Sequence, residues 1–176
     1  MNRINDNSKL KIKLRKIKLV LTDVDGVLTD GSRYYTTSGE KSKKFHVRDG
    51  MGINLLLRNG IKTVIVTKEK SQIVKKWSSD MNVSKTIMGA IKKEQVLPQI
   101  CKEFKVMPSE IMFIGDDVND LNLLKLVGFS AVPKDGHRNV TLISNYVCSK
   151  NGGEGAFREV ADLILLEKIP KGKPWY

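Results

Sequence analysis

The stretch Ile17-Lys18-Leu19-Val20-Leu21-Thr22-Asp23-Val24-Asp25-Gly26-Val27-Leu28-Thr29-Asp30 decides the fold. Its first part, residues 17–22, is too short for a helix and too apolar for a surface loop, so it reads as a buried strand. The strand stops at two carboxylates, Asp23 and Asp25, spaced i and i+2. Three further runs, at 61–67, 111–114 and 129–132, have the same β-branched apolar character, and each ends at or beside Gly, Thr or Pro. Between them, segments 51–58, 71–81, 94–104 and 117–127 place apolar residues three and four apart, as Val118, Leu121 and Leu124 do, which is the spacing of an amphipathic helix. Alternation of this kind predicts a doubly wound, Rossmann-like parallel sheet of the α/β class, with ligands bound outside the carboxyl ends of its strands.

One segment breaks the alternation. Residues 31–47 hold two β-prone runs around Ser38-Gly39 and predict a β-hairpin after the first strand. A closing helix is expected over 156–166, and Pro170, Gly172 and Pro174 argue for an irregular end. The expected organisation is a basic N-terminal tail at 1–16, one catalytic domain at 17–168 and a C-terminal tail at 169–176, with no insertion long enough for a cap domain.

The 176 residues suit a single core, and 40% apolar content excludes the low-hydrophobicity disordered class. A net charge of +12 raises a nucleic-acid or anionic-membrane reading. Residues 1–18, however, carry seven basic residues against Asp6 alone, and residues 19–166 keep a net charge of only +4. No apolar run has signal-peptide or membrane-spanning length, so a cytoplasmic protein without membrane or nucleic-acid partners is expected. Cys101 and Cys148 lack metal-site spacing and read as small apolar residues, Trp77 and the six Met as packing, and His46 and His137 as surface positions at a hairpin or a helix start.

Two carboxylates directly after a buried strand repel each other unless a cation lies between them. The expected cation is Mg²⁺, a hard ion that takes oxygen ligands and bridges phosphate oxygens. A second acidic cluster, Asp116-Asp117-Val118-Asn119-Asp120, follows another strand in the same manner. Thr67 ends the strand at 61–67, where its hydroxyl and nearby amides can hold phosphate oxygens, and Lys93 stands just ahead of the helix at 94–104, where its ammonium can balance the acids.

The ordered set Asp23-Val24-Asp25-Gly26-Val27-Leu28-Thr29-Asp30-Gly31, Thr67, Lys93 and Gly115-Asp116-Asp117 with Asp120 resembles the haloacid dehalogenase superfamily of aspartate-nucleophile phosphotransferases. Residues 45–52 (FHVRDGMG) and 152–160 (GGEGAFREV) resemble its small capless branch, which holds 3-deoxy-manno-octulosonate 8-phosphate phosphatases and phosphatases of sialic-acid-type nonulosonate 9-phosphates. The match runs from about Lys18 to Leu166. The resemblance implies Asp23 as nucleophile and Asp25 as general acid and base. It implies Mg²⁺ held by Asp23, Asp116 and the carbonyl of Asp25, Asp117 and Asp120 behind the metal or Lys93, and Thr67 and Lys93 on the phosphoryl oxygens. It also implies a homotetramer whose neighbouring subunit closes the site, with the hairpin and its Tyr34, Tyr35 and Phe45 as the assembling element.

Two positions bear on the substrate. The octulosonate type follows the strand-end Thr with Gly-Arg and has a late Gly-Gly-Arg-Gly loop; this chain has Thr67-Lys68-Glu69-Lys70 and Gly152-Gly153-Glu154-Gly155. Glu69 and Glu154 favour a nonulosonate 9-phosphate, whose extra hydroxyls a carboxylate can accept from, with the octulosonate 8-phosphate as the alternative. Lys68 matches neither pattern. Arg48, Lys70 and Arg158 are candidates for the sugar carboxylate. The rival from a different class is a non-catalytic binding module that uses the basic surface for nucleic acid; no aromatic-interleaved basic motif supports it. A phosphotransferase or mutase is disfavoured because no cap shields an aspartyl-phosphate from water.

Overall fold

The protein is described by a computed structural model over residues 8–170 and 172–174. Six parallel strands form one sheet in the order β5-β4-β1-β6-β7-β8: β1 Leu19–Thr22, β4 Lys62–Thr67, β5 Lys85–Met88, β6 Ile111–Ile114, β7 Phe129–Val132 and β8 Tyr146–Val147. From β1 the chain first builds outward through β4 and β5, then returns to place β6, β7 and β8 on the other side, so the order reverses at β1. That reversal opens a crevice at the carboxyl ends of β1 and β6, the position at which doubly wound sheets bind ligands.

Residues of alternating parity in each strand feed two cores. Val20 faces Ile53, Leu56, Phe157 and Ile164 from α2 (Val47–Arg58) and α7 (Ala156–Lys168). Leu19 and Leu21 face Leu97, Ile100, Leu124 and Val140 from α4 (Leu97–Phe104), α5 (Leu121–Leu126) and α6 (Arg138–Ile143). A further helix, α3 (Gln72–Asp80), lies between β4 and β5. The hairpin is present as antiparallel β2 (Tyr34–Thr36) and β3 (Gly39–Ser42), and between β1 and α2 the chain adds nothing larger.

Four differences from the sequence expectation have physical causes. Residues 8–16, read as part of a tail, form the helix α1 (Ser8–Lys16), with Leu14 buried against the α7 side of the core; residues 1–7 lie outside the described residues. The segment at 94–104 is helical only from Leu97, because Pro98 has no N–H to bond Glu94, and Lys93–Val96 winds as a tighter 3-10 turn. Residues 117–127 likewise open as a 3-10 turn, Val118–Asp120, before α5. β5, β8 and α6 were not expected: the two strands are short and at least partly exposed, and α6 has six residues. His46 and His137 sit at helix starts, accepting the N–H of Arg48 and Asn139 through Nδ1. Cys148 is buried, Cys101 half-buried, and both are free thiols.

Candidate active site

The site begins where β1 ends. The Asp23 N–H donates to the Ile114 carbonyl at 3.0 Å, which ties the strand's last turn to β6. Gly26 then takes a φ of +88°, and a Cβ there would overlap the Asp116 carboxylate, so both the turn and the close approach require glycine. The loop after β1 therefore crosses directly against the loop after β6, and the two acidic clusters of the sequence meet.

Lys93 joins them. Its side chain is 0% exposed, and its Nζ lies 2.7 Å from Asp23 Oδ2 and 2.6 Å from Asp120 Oδ1. The other Asp120 oxygen accepts the Asp116 N–H at 3.0 Å. Asp120 thus spends both oxygens holding Lys93 and the loop. Burial alone would lower the Lys93 ammonium, but Asp23 and Asp120 outweigh it and raise its pKa, so it stays charged. Burial, opposed by Lys93 and reinforced by Asp120, pushes the Asp23 carboxyl up to about 7. Burial, then the charges of Asp23 and Asp120, push Asp116 up to about 8.

These groups fit a divalent cation. One carboxylate oxygen each from Asp23, Asp116 and Asp120 lie within 4.8 Å of one another, and Asp116 Oδ1 is buried with no hydrogen bond. Three carboxylates around one ammonium leave negative charge uncompensated, and a hard cation supplies the balance.

Thr67 is buried at the end of β4, and its hydroxyl accepts the Glu69 N–H at 3.2 Å, folding the following turn back over the strand end. Asp25 is held by cations from the hairpin segment: Lys43 Nζ lies 2.5 Å from its Oδ1 and Arg33 Nη2 3.1 Å from its Oδ2. Arg33 also reaches Glu69 at 3.3 Å. Sequence reasoning missed Arg33 and Lys43, because only the folded hairpin carries them back to the β1 loop. It also missed Asp49, wholly buried on the first turn of α2, whose Oδ1 accepts the Arg158 N–H at 2.8 Å.

Other candidates fall elsewhere. Asp117 is exposed and caps its own 3-10 turn by accepting the Val118 N–H at 2.7 Å through Oδ1. Arg48, Glu154 and Arg158 line a groove of about 550 Å³ with Tyr146, Lys150 and Glu159, and none of the acids at the strand ends lines it. Within it Arg158 pairs with Asp162 and Glu154 accepts from Asn151. Lys70 is exposed and its stem lies along Gly89.

Comparison with known proteins identifies the family. Residues 65–160 match the haloacid dehalogenase-like hydrolases. A 3-deoxy-D-manno-octulosonate 8-phosphate phosphatase of Haemophilus influenzae is 39% identical over 153 residues, covering 87% of this chain and 85% of that one. Among solved structures, the Moraxella catarrhalis enzyme of the same description, in complex with magnesium, phosphate and KDO, is 34% identical with a TM-score of 0.88, covering 91% and 92% of the two chains. The cobalt-bound H. influenzae phosphatase is 38% identical with a TM-score of 0.87, covering 89% and 91%. The chain belongs to the haloacid dehalogenase-like hydrolases and is a phosphoric monoester hydrolase. Within that family it resembles the capless branch of the octulosonate 8-phosphate phosphatases, with only a hairpin between β1 and α2.

Proposed function

We propose that this phosphatase releases phosphate from 3-deoxy-D-manno-octulosonate 8-phosphate through an aspartyl-phosphate on Asp23. The observation that carries the mechanism is Lys93, a fully buried ammonium 2.7 Å from Asp23. It favours the ionised nucleophile against its burial and fixes one of its oxygens, so the other is presented to phosphorus. Asp23 attacks in line, forming the acyl phosphate as the bond from phosphorus to the sugar oxygen breaks. Asp25 gives the leaving alkoxide a proton, then takes one from the water that attacks the same phosphorus and frees Asp23. The Thr67 hydroxyl and the Lys93 ammonium hold the phosphoryl oxygens. Asp23, Asp116 and the Asp25 carbonyl are the groups we assign to Mg²⁺, which when bound supplies positive charge to the phosphoryl oxygens.

Two observations move the substrate preference from a nonulosonate 9-phosphate to the octulosonate. The relatives described above act on the octulosonate ester. The two Glu residues that favoured the longer sugar also do not stand as open acceptors: Glu69 is paired with Arg33, and Glu154 accepts from Asn151 beside a different groove. Tyr34 and Tyr35, 59% and 65% exposed on the hairpin, support assembly into a homotetramer. No helix among the described residues is long and apolar enough to cross a membrane.

Phosphate release from both sugar phosphates in Mg²⁺ tests the reading. The expected result is a higher kcat/KM on the octulosonate 8-phosphate, abolished by EDTA and by Asp23→Asn. A preference for the nonulosonate would overturn the substrate, and Mg²⁺-dependent turnover by Asp23→Asn would overturn the mechanism.

A further inference from the structure

The excess of positive charge near the start of the sequence has a definite place in the fold. The helix α1 holds five of those basic residues, Lys9, Lys11, Lys13, Arg15 and Lys16. Leu10 and Leu14 pack on the core, and Lys11 and Arg15 reach Glu167 at 3.9 and 3.2 Å. That leaves Lys9, Ile12, Lys13 and Lys16 facing outward, at the i, i+3, i+4, i+7 spacing of a single helix face. All four are exposed, Ile12 by 52%. The three ammonium groups have no ion pair or hydrogen bond among the described residues.

This face belongs to a larger basic pole. Lys168, at the end of α7, donates to the Arg15 and Ile17 carbonyls at 2.9 and 2.8 Å, which fastens α1 to the edge of the sheet where the strands begin. Two grooves meet at Lys168. Lys18, Lys62 and Lys105 line one with it, and Lys11 and Arg15 line the other, where Glu167 is the acid present. Burial and the charge of Lys18 lower the Lys168 pKa, as happens when cations gather with too little acid between them. The catalytic acids stand at the opposite end of the same strands, so the two poles of the molecule differ in sign.

We infer that the basic pole docks this enzyme on an anionic lipid surface, with the outward face of α1 against the headgroups. Ammonium groups around a bared apolar side chain form the pattern of a helix lying in a membrane interface: the charges meet lipid phosphates and Ile12 enters between the chains. Nucleic acid fits less well, because Phe104, the aromatic in these grooves, is half-buried with Lys62 5.7 Å from its ring centre and offers no open face for a base. The expectation of no membrane partner rests on the length of apolar runs, which does not measure a basic face on an ordered helix. Docked in this way, the enzyme turns its catalytic mouth away from the bilayer and toward solution. The inference is independent of which sugar phosphate is hydrolysed.

Co-flotation of the full chain with lipid vesicles is the test. Vesicles of phosphatidylcholine mixed with phosphatidylglycerol are expected to carry the protein at physiological salt, less so as salt rises, and pure phosphatidylcholine is expected to leave it in solution. Lys9→Gln, Lys13→Gln and Lys16→Gln combined should weaken binding about a hundredfold, with Tm and phosphate release in solution unchanged. Arg at the same three positions should preserve binding. Ile12→Ser should weaken it about fivefold, an effect that persists at high salt because the apolar contact is not screened. Equal binding to the two kinds of vesicle, no binding at physiological salt, or undiminished binding by the Gln variant overturns the inference. So does tighter binding to single-stranded RNA than to the anionic vesicles at the same salt, which would assign the pole to nucleic acid.

Discussion

Asp49 gives a prediction in which the sign and size follow from one buried group. It is 0% exposed, it accepts the Arg158 N–H at the start of α7 through Oδ1, and its Oδ2 is buried without a hydrogen bond of its own. Burial outweighs the donors around it and pushes the carboxyl from 3.8 up to about 6. The folded pKa is therefore above the unfolded one. Between those two values the folded chain keeps a proton that the unfolded chain has released, so the contribution is fully present below about pH 4 and is lost as pH rises through about 6. A shift of that size amounts to about 3 kcal/mol.

Asp49→Asn keeps an acceptor for the Arg158 N–H and cannot ionise. Urea unfolding of both proteins across pH 4 to 7 isolates the effect, because every other titrating group cancels in the difference. The stability of the unmodified chain relative to the variant should fall by about 2.4 kcal/mol over that range, most of the full linkage. A difference that stays flat across pH refutes the reasoning. The group matters to function because it anchors the start of α7 and so the glycine loop ahead of it. Gly152 and Gly153 there lie so close to the Gly26 carbonyl and the Asp30 N–H that neither could carry a side chain.

Two other outcomes are expected. Lys93→Met leaves Asp23 and Asp120 buried without their common partner, a loss of about 3–5 kcal/mol, and should lower Tm by roughly 10 °C as well as abolish phosphate release; calorimetry showing an unchanged Tm would count against the charge arrangement described here. In the homotetramer we propose, replacing Tyr34 and Tyr35 together by Ser is expected to give smaller species in light scattering, with activity falling in parallel; a fully active unmodified monomer would remove the hairpin from any role in assembly.

The residues legible in the sequence are those whose place is fixed by one strand. Asp23, Thr67 and Asp116 each follow a short apolar run, and a run of that kind ends at the carboxyl edge of the sheet whatever else the chain does. Lys93 was legible for a related reason, since it opens a helix that starts near the same edge. Residues placed by two segments at once were not legible. Asp49 acquires its role only when α7 packs against α2, and Arg33 and Lys43 only when the hairpin folds back on Asp25. One signal for Arg33 did exist, the acid at position 69, because an acid where a related pattern has arginine asks for a cation from elsewhere. The helix α1 falls in the stretch read as a basic tail. Leu10, Ile12 and Leu14 alternate with charges as in a strand, yet the structure turns Leu14 inward and leaves Ile12 52% exposed.

The hairpin draws these strands of argument together. It is the one segment that departs from the strand–helix alternation, and in a chain without a cap it is the element available to cover the site. It already does part of that work within one subunit, since both cations on Asp25 come from its flanks, Arg33 ahead of β2 and Lys43 behind β3. The exposed Tyr34 and Tyr35 lie on β2, immediately after Arg33. Any neighbour that packs on those tyrosines therefore bears on the segment that holds Asp25, the residue we propose as acid and base. On the proposed assembly and substrate, the tyrosine variants are expected to lose turnover of the sugar acid phosphate even at concentrations where the fold itself, followed by thermal melting, is intact.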